Sequence, residues 1–325
     1  MEECFPKTNL RSIPVRIRLE IYQDVISLRN KGLNTTEIKN EIFKEHGVFI
    51  RTNTLYRWIT NRSKACNQQR IFIPKPSREL SYLIGVFLGD GSIKIEASNY
   101  KYCFTLQVKD KEFAEKFSSY LSKILNKSPP YPVSKVNDFT RGKRVRFYVR
   151  VSNRMLYEFL SSPIEKLLMY AIFPTEFLRG IFDSDGFTSI SAKNYFSVGV
   201  GVCGVDLELI NFIKLILYKH FRINSTISKS MKKGDHVIIW GKEYTANKDV
   251  FVLSINNYDD VKNFCNFIGF SIDRKQEKLK EAIFIKDNFK EERALKIWKS
   301  LYFKQGREWV KIKKDSGASP ELSSR

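Results

Sequence analysis

Two nine-residue segments end alike in an aspartate followed by glycine: Leu83-Ile84-Gly85-Val86-Phe87-Leu88-Gly89-Asp90-Gly91 and Leu178-Arg179-Gly180-Ile181-Phe182-Asp183-Ser184-Asp185-Gly186. Each reads as an apolar helix in which small residues four apart, Gly85 with Gly89 and Gly180 with Ser184, share one face. Such a stripe lets a second helix approach closely. Asp90 and Asp185 then fall at C-terminal helix ends, where the dipole is negative, and side-by-side packing makes the two carboxylates repel each other. A divalent cation with hard oxygen ligands offsets that cost. A paired-metal site of this kind suits phosphodiester cleavage, activating water and stabilising the leaving oxygen. Gly91 and Gly186 suit left-handed, helix-ending positions. Asp183 points to a different side of its helix and is read as supporting or structural.

A lone segment of this type reads as a buried helix with a glycine cap, but repetition is an architectural signal. The sequence after each copy also corresponds: Asp110 opens a helical pattern 20 residues after Asp90, and Asp206 does so 21 residues after Asp185. Both are read as first-turn helix residues rather than catalytic ones.

The pair of motifs at this spacing resembles the LAGLIDADG homing endonuclease family in its two-motif, single-chain form, over roughly Leu80 to Ile285. The resemblance implies an α+β fold: a pseudo-twofold duplicated αββαββα unit, with the motif helices between the halves and saddle-shaped antiparallel sheets over DNA. It also implies that Asp90 and Asp185 are catalytic carboxylates holding Mg²⁺ or another divalent cation such as Mn²⁺ in two strand-cleaving centres. The carbonyls of Gly89 and Ser184 are then expected to help bind the metal. Family members also use a basic residue near each centre, and Lys94, Arg154 and Lys193 are the nearest candidates by motif position.

The strands that must carry DNA contacts are legible as alternations. In residues 144–151, Val145, Phe147, Val149 and Val151 share one face and Arg144, Arg146, Tyr148 and Arg150 the other. The neighbouring strand turns Phe104, Leu106 and Val108 to the core and Cys103, Thr105 and Gln107 to the polar face, which Ser92, Lys94 and Glu96 join. Such a face holds the donors and acceptors needed to read groove edges and grip phosphates. In the second half Phe196, Val198, Val200 and Val202 alternate with Ser197, Gly199, Gly201 and Cys203, which bring little positive charge. Later strands around Val237–Trp240 and Phe251–Ile255, with Lys242 and Lys248 between them, are expected to add grip. Unequal halves imply an asymmetric target.

Residues before the first motif read as three helices: Pro14 to about Lys31, a second capped by Thr35 or Thr36 and running to about Glu45, and a third capped by Thr52. The third buries Leu55, Trp58 and Ile59 and leaves Asn53, Tyr56, Arg57 and Arg62 outside. This order resembles the helix-turn-helix of resolvases, whose last helix enters the major groove. The expected organisation is a helix-turn-helix domain at 1–62, a linker at 63–79 carrying Lys64, Arg70 and Lys75, a first half at 80–173, and a second half at 174–315. The second half includes C-terminal helices drawn from the charged, helix-prone stretch Asp273 to Trp309. Residues 316–325 have little to bury and are expected to be disordered.

A net charge of +21 over 325 residues, with pI near 9.7, points to a polyanionic partner. Residues 1–76 alone hold 14 Lys/Arg against 7 Asp/Glu. No apolar run approaches the roughly 20 residues of a membrane span, and no signal-peptide core is present, so a cytoplasmic protein with no membrane partner is expected, nucleoid-associated or organellar depending on the host. The five scattered cysteines read as reduced thiols, and three histidines make a zinc finger improbable. These features together describe a monomeric, site-specific, metal-dependent endonuclease making double-strand breaks in long asymmetric duplex sites. The alternatives are a non-cleaving DNA-binding transcriptional regulator on the same scaffold and an RNA-splicing maturase. The Met-Glu-Glu-Cys start and the final Arg325 weigh against an intein.

Overall fold

The structure, a computed structural model, describes residues 10, 13–63, 65, 71–96, 101–138, 144–239, 242–306 and 308–312, without side chains at 138, 144, 239 and 242. Lys64 and Arg70 of the expected linker, and the tail at 316–325, lie outside these residues. The chain forms two compact units: Met1–Pro76 with Gly91–Lys109 and Phe117–Tyr170, and Ser77–Asp90 with Asp110–Lys116 and Ala171–Arg325.

In the first unit, α1 (Val15–Asn30), α2 (Thr35–His46) and α3 (Thr52–Ile59) follow the expected three-helix order. Ile21, Val25, Ile38, Ile42, Leu55 and Trp58 form their core, and Tyr22 meets Trp58 edge-on at 5.3 Å. Two caps differ from expectation. Asn34, not Thr35 or Thr36, caps α2: its side chain accepts from the Thr36 and Glu37 amides while Glu37 accepts from the Asn34 amide at 2.7 Å, the reciprocal arrangement that satisfies two orphan donors. Arg51 precedes α3 without a side-chain cap, because the Thr52 hydroxyl lies inside the helix and accepts from Lys39 Nζ at 2.6 Å.

The same unit holds an antiparallel sheet of β1 (Ser92–Glu96), β2 (Lys101–Val108), β3 (Ser134–Asp138) and β4 (Arg144–Ser152) in the order β1-β2-β4-β3. Thr105 lies opposite Ser92 on one side and Arg150 on the other, so strand alternation gathers the expected polar positions on one face. The apolar face is covered where Phe117, in α5 (Lys111–Ile124), meets Phe104 at 5.2 Å, and where Tyr157, in α6 (Arg154–Leu160), meets Tyr102 at 5.2 Å. Phe72 packs on Phe159 of α6 at 5.5 Å, and the short α7 (Ile164–Leu168) follows.

The second unit is built on α4 (Arg78–Leu88) and α8 (Pro174–Asp185), the two motif helices. α4 begins two residues before the expected boundary at 80 because Ser77 caps it, accepting from the Leu80 amide at 3.1 Å. Its sheet comprises β5 (Gly186–Ala192), β6 (Phe196–Gly204), β7 (Thr226–Met231) and β10 (Val250–Ile255), in the order β5-β6-β10-β7. That order matches the first sheet strand for strand. β8 (His236–Ile239) and β9 (Lys242–Thr245) stand apart from this sheet as a two-stranded ribbon, and Trp240 of the expected strand lies outside the described residues. α9 (Leu207–Phe221), α10 (Tyr258–Phe267) and α11 (Asp273–Asn288) complete the apolar side, where Phe182 meets Phe264 at 4.6 Å and Phe264 meets Phe270 at 5.5 Å.

The C-terminal stretch departs from its helical reading. After α12 (Glu291–Leu301) the chain forms a hairpin of β11 (Tyr302–Gln305) and β12 (Glu308–Lys311). Fully buried Trp298 stacks on Tyr302 at 4.1 Å and meets Trp309 edge-on at 6.0 Å. Trp309 Nε1 donates to the Ile190 carbonyl at 3.0 Å, fixing the hairpin to β5. Aromatic packing outweighs the helical propensity of the charged residues between. Among the described residues no helix is long and apolar enough to cross a membrane.

Candidate functional site

Backbone meets backbone where the motif helices cross. A Cβ on Gly85 would stand 2.3 Å from the Phe177 carbonyl oxygen and 3.2 Å from Gly180 Cα; one on Gly180 would stand 2.4 Å from the Tyr82 carbonyl oxygen and 3.2 Å from Gly85 Cα. The two sets of contacts are images of each other, since Tyr82 and Phe177 each precede their glycine by three residues. One turn further on, a Cβ on Gly89 would stand 2.4 Å from Ser184 Cβ and 3.0 Å from Asp185 Oδ2. The glycine stripes thus bring the two Asp-bearing ends together. The left-handed reading of Gly91 and Gly186 as helix-ending residues needs correction: α4 ends at Leu88 with Gly89, φ −96°, as its cap, two residues before Gly91, and Gly186 is extended, with φ −79°. Gly186 is small because a Cβ there would meet the Phe182 carbonyl oxygen at 2.4 Å.

Electrostatics agree with this convergence. Asp90 and Asp185 both reach solvent, yet crowding by the protein and the charge of Asp90 push the Asp185 carboxyl up to about 6, with Lys275 opposing. Lys275, on α11, directs Nζ at three carbonyls at the end of α8: Phe182 at 3.1 Å, Asp183 at 2.7 Å and Gly186 at 2.7 Å. These bonds use all three ammonium protons, so the lysine caps the helix rather than pairing with a carboxylate. Burial pulls Lys275 down to about 8, Arg274 adding to the effect and Asp183, Asp110 and Asp90 opposing it. Sequence reading missed Lys275, whose partners are backbone atoms.

Asp183 is a structural tie, as expected. Its buried carboxylate accepts from Tyr82 Oη at 2.8 Å, from the Ser271 amide at 2.7 Å and from the Ser271 hydroxyl, joining α8 to α4 and to the loop before α11. Burial raises its pKa against these hydrogen bonds and the charge of Lys116. Asp206 caps α9, accepting from the Glu208 and Leu209 amides at 3.0 and 3.1 Å. Asp110 instead receives both arms of Arg274, each at 2.9 Å, a bidentate pair that raises the guanidinium further. A cavity of about 360 Å³ opens beside Asp185, lined by Gly89, Leu88, Cys203, Asp206, Leu209 and Val250 among others.

The donor set fits a hard divalent cation: two carboxylates at negative helix ends, brought close by their scaffold, with the Lys275 ammonium spent on carbonyls. Asp90 and Asp185 would hold it, and the resemblance adds the carbonyls of Gly89 and Ser184.

The expected DNA-facing residues divide by setting. On the first sheet, Lys94 and Gln107 are exposed and Arg146, Tyr148 and Arg150 are partly so; Lys94 and Arg150 both contact Glu96. The Arg144 side chain lies outside the described atoms. Thr105 is only 7 % exposed and shares a 2.9 Å hydrogen bond with the Ser92 hydroxyl, so it supports the face from beneath instead of presenting itself. Arg154 also differs from expectation. Its side chain is 14 % exposed, bonds Glu158 at 2.7 Å and the Ile13 carbonyl at 3.4 Å, and covers the Tyr102 ring; it holds α6 to the N-terminal helices. Lys193 is exposed in the β5–β6 turn, at the opposite end of β5 from Asp185, and is therefore no neighbour of that centre. On and after α3, Asn53, Tyr56, Arg57 and Arg62 are all exposed, with Arg62 over the Tyr56 ring.

A duplicated αββαββα scaffold with facing glycines and paired terminal aspartates defines a class, and comparison agrees with it. The LAGLIDADG-like domain description matches residues 173–269. The chain is 35 % identical over 280 residues to an uncharacterized protein of Methanocaldococcus jannaschii, covering 85 % of this chain and 97 % of that one. It is also 25 % identical over 284 residues to the ATP-dependent DNA helicase Hel308 of the same organism, covering 81 % of this chain but 22 % of the helicase. Among solved structures, I-DmoI in complex with DNA and Mn is 19 % identical with TM-score 0.41, over 60 % of this chain and 97 % of that one. The N-terminal LAGLIDADG domain of DUF199/WhiA is 20 % identical with TM-score 0.37, over 65 % and 90 %. The chain belongs to the LAGLIDADG family.

Proposed function

We propose that this protein is a site-specific, metal-dependent DNA endonuclease of the homing type, making a double-strand break in a long asymmetric duplex site. The observation that carries the reading is the Gly85–Gly180 crossing, which delivers Asp90 and Asp185 to one place at unfavourable electrostatic cost. Asp90 and Asp185 hold Mg²⁺ or Mn²⁺, with the Gly89 and Ser184 carbonyls as further oxygen ligands. When bound, the cation supplies Lewis acidity, lowering the pKa of water and neutralising charge on the phosphate. Asp183 and Lys275 fix the end of α8, so that Asp185 is preorganised. Lys94, Gln107, Arg146, Tyr148 and Arg150 bind phosphates and groove edges, and Asn53, Tyr56, Arg57 and Arg62 extend the footprint as a helix-turn-helix. With both motifs on one chain, a monomer suffices.

The test is incubation of the purified protein with a library of randomised duplexes in Mg²⁺, in Mn²⁺ and in EDTA, sequencing the ends produced. Breaks at one recurrent asymmetric sequence, present with metal and absent in EDTA, are expected. The Asp90→Asn plus Asp185→Asn protein is expected to bind that sequence without cutting it. Undiminished cutting by the double variant overturns the mechanism. Duplex binding without cutting in either metal supports a transcriptional regulator on this scaffold, and preference for structured RNA supports a maturase.

A further inference from the structure

The connection between the third and fourth sheet strands differs sharply between the halves. In the first half it is residues 139–143; in the second, residues 232–249 contain the whole β8–β9 ribbon. Strand register fixes where the ribbon emerges. Gly186, next to Asp185, pairs with Val202, and Gly204 pairs with Phe251. Val250 pairs with Met231 and lines the cavity beside Asp185. The ribbon therefore leaves the sheet at its Asp185 end.

Its two faces are both uncovered. His236 pairs with Thr245, Val237 with Tyr244 and Ile238 with Glu243, so Ile238 and Tyr244 lie on opposite faces. Ile238 is 78 % exposed and Tyr244 49 %. A two-stranded ribbon with apolar side chains in water on both sides is marginal by itself and gains by insertion into a partner. Its base is anchored: the Lys232 amide donates to Asp235 and the Lys233 amide to Asp249, each at 2.7 Å, and Lys229 is paired with Asp249. The side chains of Lys232, Lys233 and Lys248 are exposed at that base. A blade bearing Ile238 and Tyr244, with Glu243 held against His236 at 3.1 Å, on a lysine-bearing base suits a nucleic-acid duplex, whose major groove admits a two-stranded ribbon and whose flanking phosphates take the lysines.

We infer that the β8–β9 ribbon is a duplex clamp, entering a groove of the DNA beside the Asp185 centre and supplying to the second half the grip that its uncharged sheet face lacks. The inference rests on the proposed endonuclease reading. Its test compares the full-length protein with the Lys232→Ala, Lys233→Ala, Lys248→Ala triple variant and with a chain in which Gly-Gly replaces residues 235–246. The backbone anchors of Lys232 and Lys233 survive the alanine substitutions.

Each released phosphate contact lowers the slope of log affinity against log salt by about 0.9, so the triple variant is expected to lower it by about 2 to 3. The ribbon deletion is expected to remove hydroxyl-radical protection on one side of the cut only, with an unchanged thermal midpoint. Unchanged slope and footprint overturn the clamp and direct the ribbon to a protein partner. Failure of the unaltered protein to bind duplex overturns the endonuclease reading itself, a distinct result.

Discussion

The first sheet turns Lys94, Gln107, Arg146, Tyr148 and Arg150 to one face; the second, with the same strand order, turns Ser189, Gly199, Gly201, Cys203, Ser228 and Ser254 to the corresponding face. Their apolar faces are alike: Phe104, Leu106, Val149 and Val151 in one, Val198, Val200, Val202 and Leu253 in the other, all buried. Alternation that fills a core dictates topology, while every second residue stays free to diverge toward a partner. The helix ends differ too. α8 is capped by Lys275 through three carbonyls, whereas the cap residue of α4 is Gly89, whose amide bonds the Gly85 carbonyl at 3.3 Å.

Single aspartate variants test whether the two centres are separable. Asp90→Asn and Asp185→Asn are each expected to slow cutting of one strand by about 10²-fold or more, leaving nicks in opposite strands on denaturing gels. Equal loss on both strands in each variant would show one shared centre instead. Next in size is the helix crossing. Gly85→Ala and Gly180→Ala each drive a methyl into a facing carbonyl, so each is expected to cost about 3 kcal/mol in urea unfolding; the mirrored contacts predict similar values, and a large difference would break the symmetry.

Lys275→Met removes hydrogen bonds from the end of α8 alone. A loss of about 2 kcal/mol is expected, together with weaker Mn²⁺ binding by titration; unaltered binding would reduce the lysine to a purely structural cap. On the sheets, Arg146→Ala is expected to flatten the salt dependence of DNA affinity by about 1 unit of slope, and Ser254→Ala to leave it unchanged. An equal effect of both would erase the contrast between the faces.

The smallest effect concerns Asp185 in metal-free protein. Its carboxyl titrates near 6 when folded and near 3.8 otherwise, so the folded state binds the proton more readily and the charged form opposes folding above pH 6. Asp185→Asn is expected to stabilise the folded state slightly at pH 8 in EDTA, by less than about 1 kcal/mol in urea unfolding because solvent screens the charge. The gain disappears as pH falls toward 4, and a gain independent of pH would point to packing.

The glycine stripes, the terminal aspartates and the alternation of β2 and β4 were legible because each is a periodic pattern within one segment. The partition of the N-terminal helices was legible for the same reason, apart from caps one residue away from those expected. What escaped the sequence depends on distant partners. Lys275 bonds carbonyls about 90 residues earlier, and no residue type marks a carbonyl as a target. Thr105 was placed on the right face, but its burial depends on Ser92 across the strand pair. Arg154 looked like a basic residue near a motif until its neighbours Ile13 and Glu158 accounted for it. The β11–β12 hairpin is held by Trp298 and Ile190, contacts that helical propensity cannot anticipate.

Tyr82 and Asp183 bond across 101 residues of chain, at the crossing that only glycines permit. At translation speeds of about 5–20 residues per second, the first motif helix emerges roughly 5–20 s before its mate exists. Throughout that interval its glycine stripe lacks the helix it packs against. The nascent protein therefore passes through an adhesive, half-made stage, and its yield in a cell should depend on chaperones that shield that helix until the second motif leaves the ribosome.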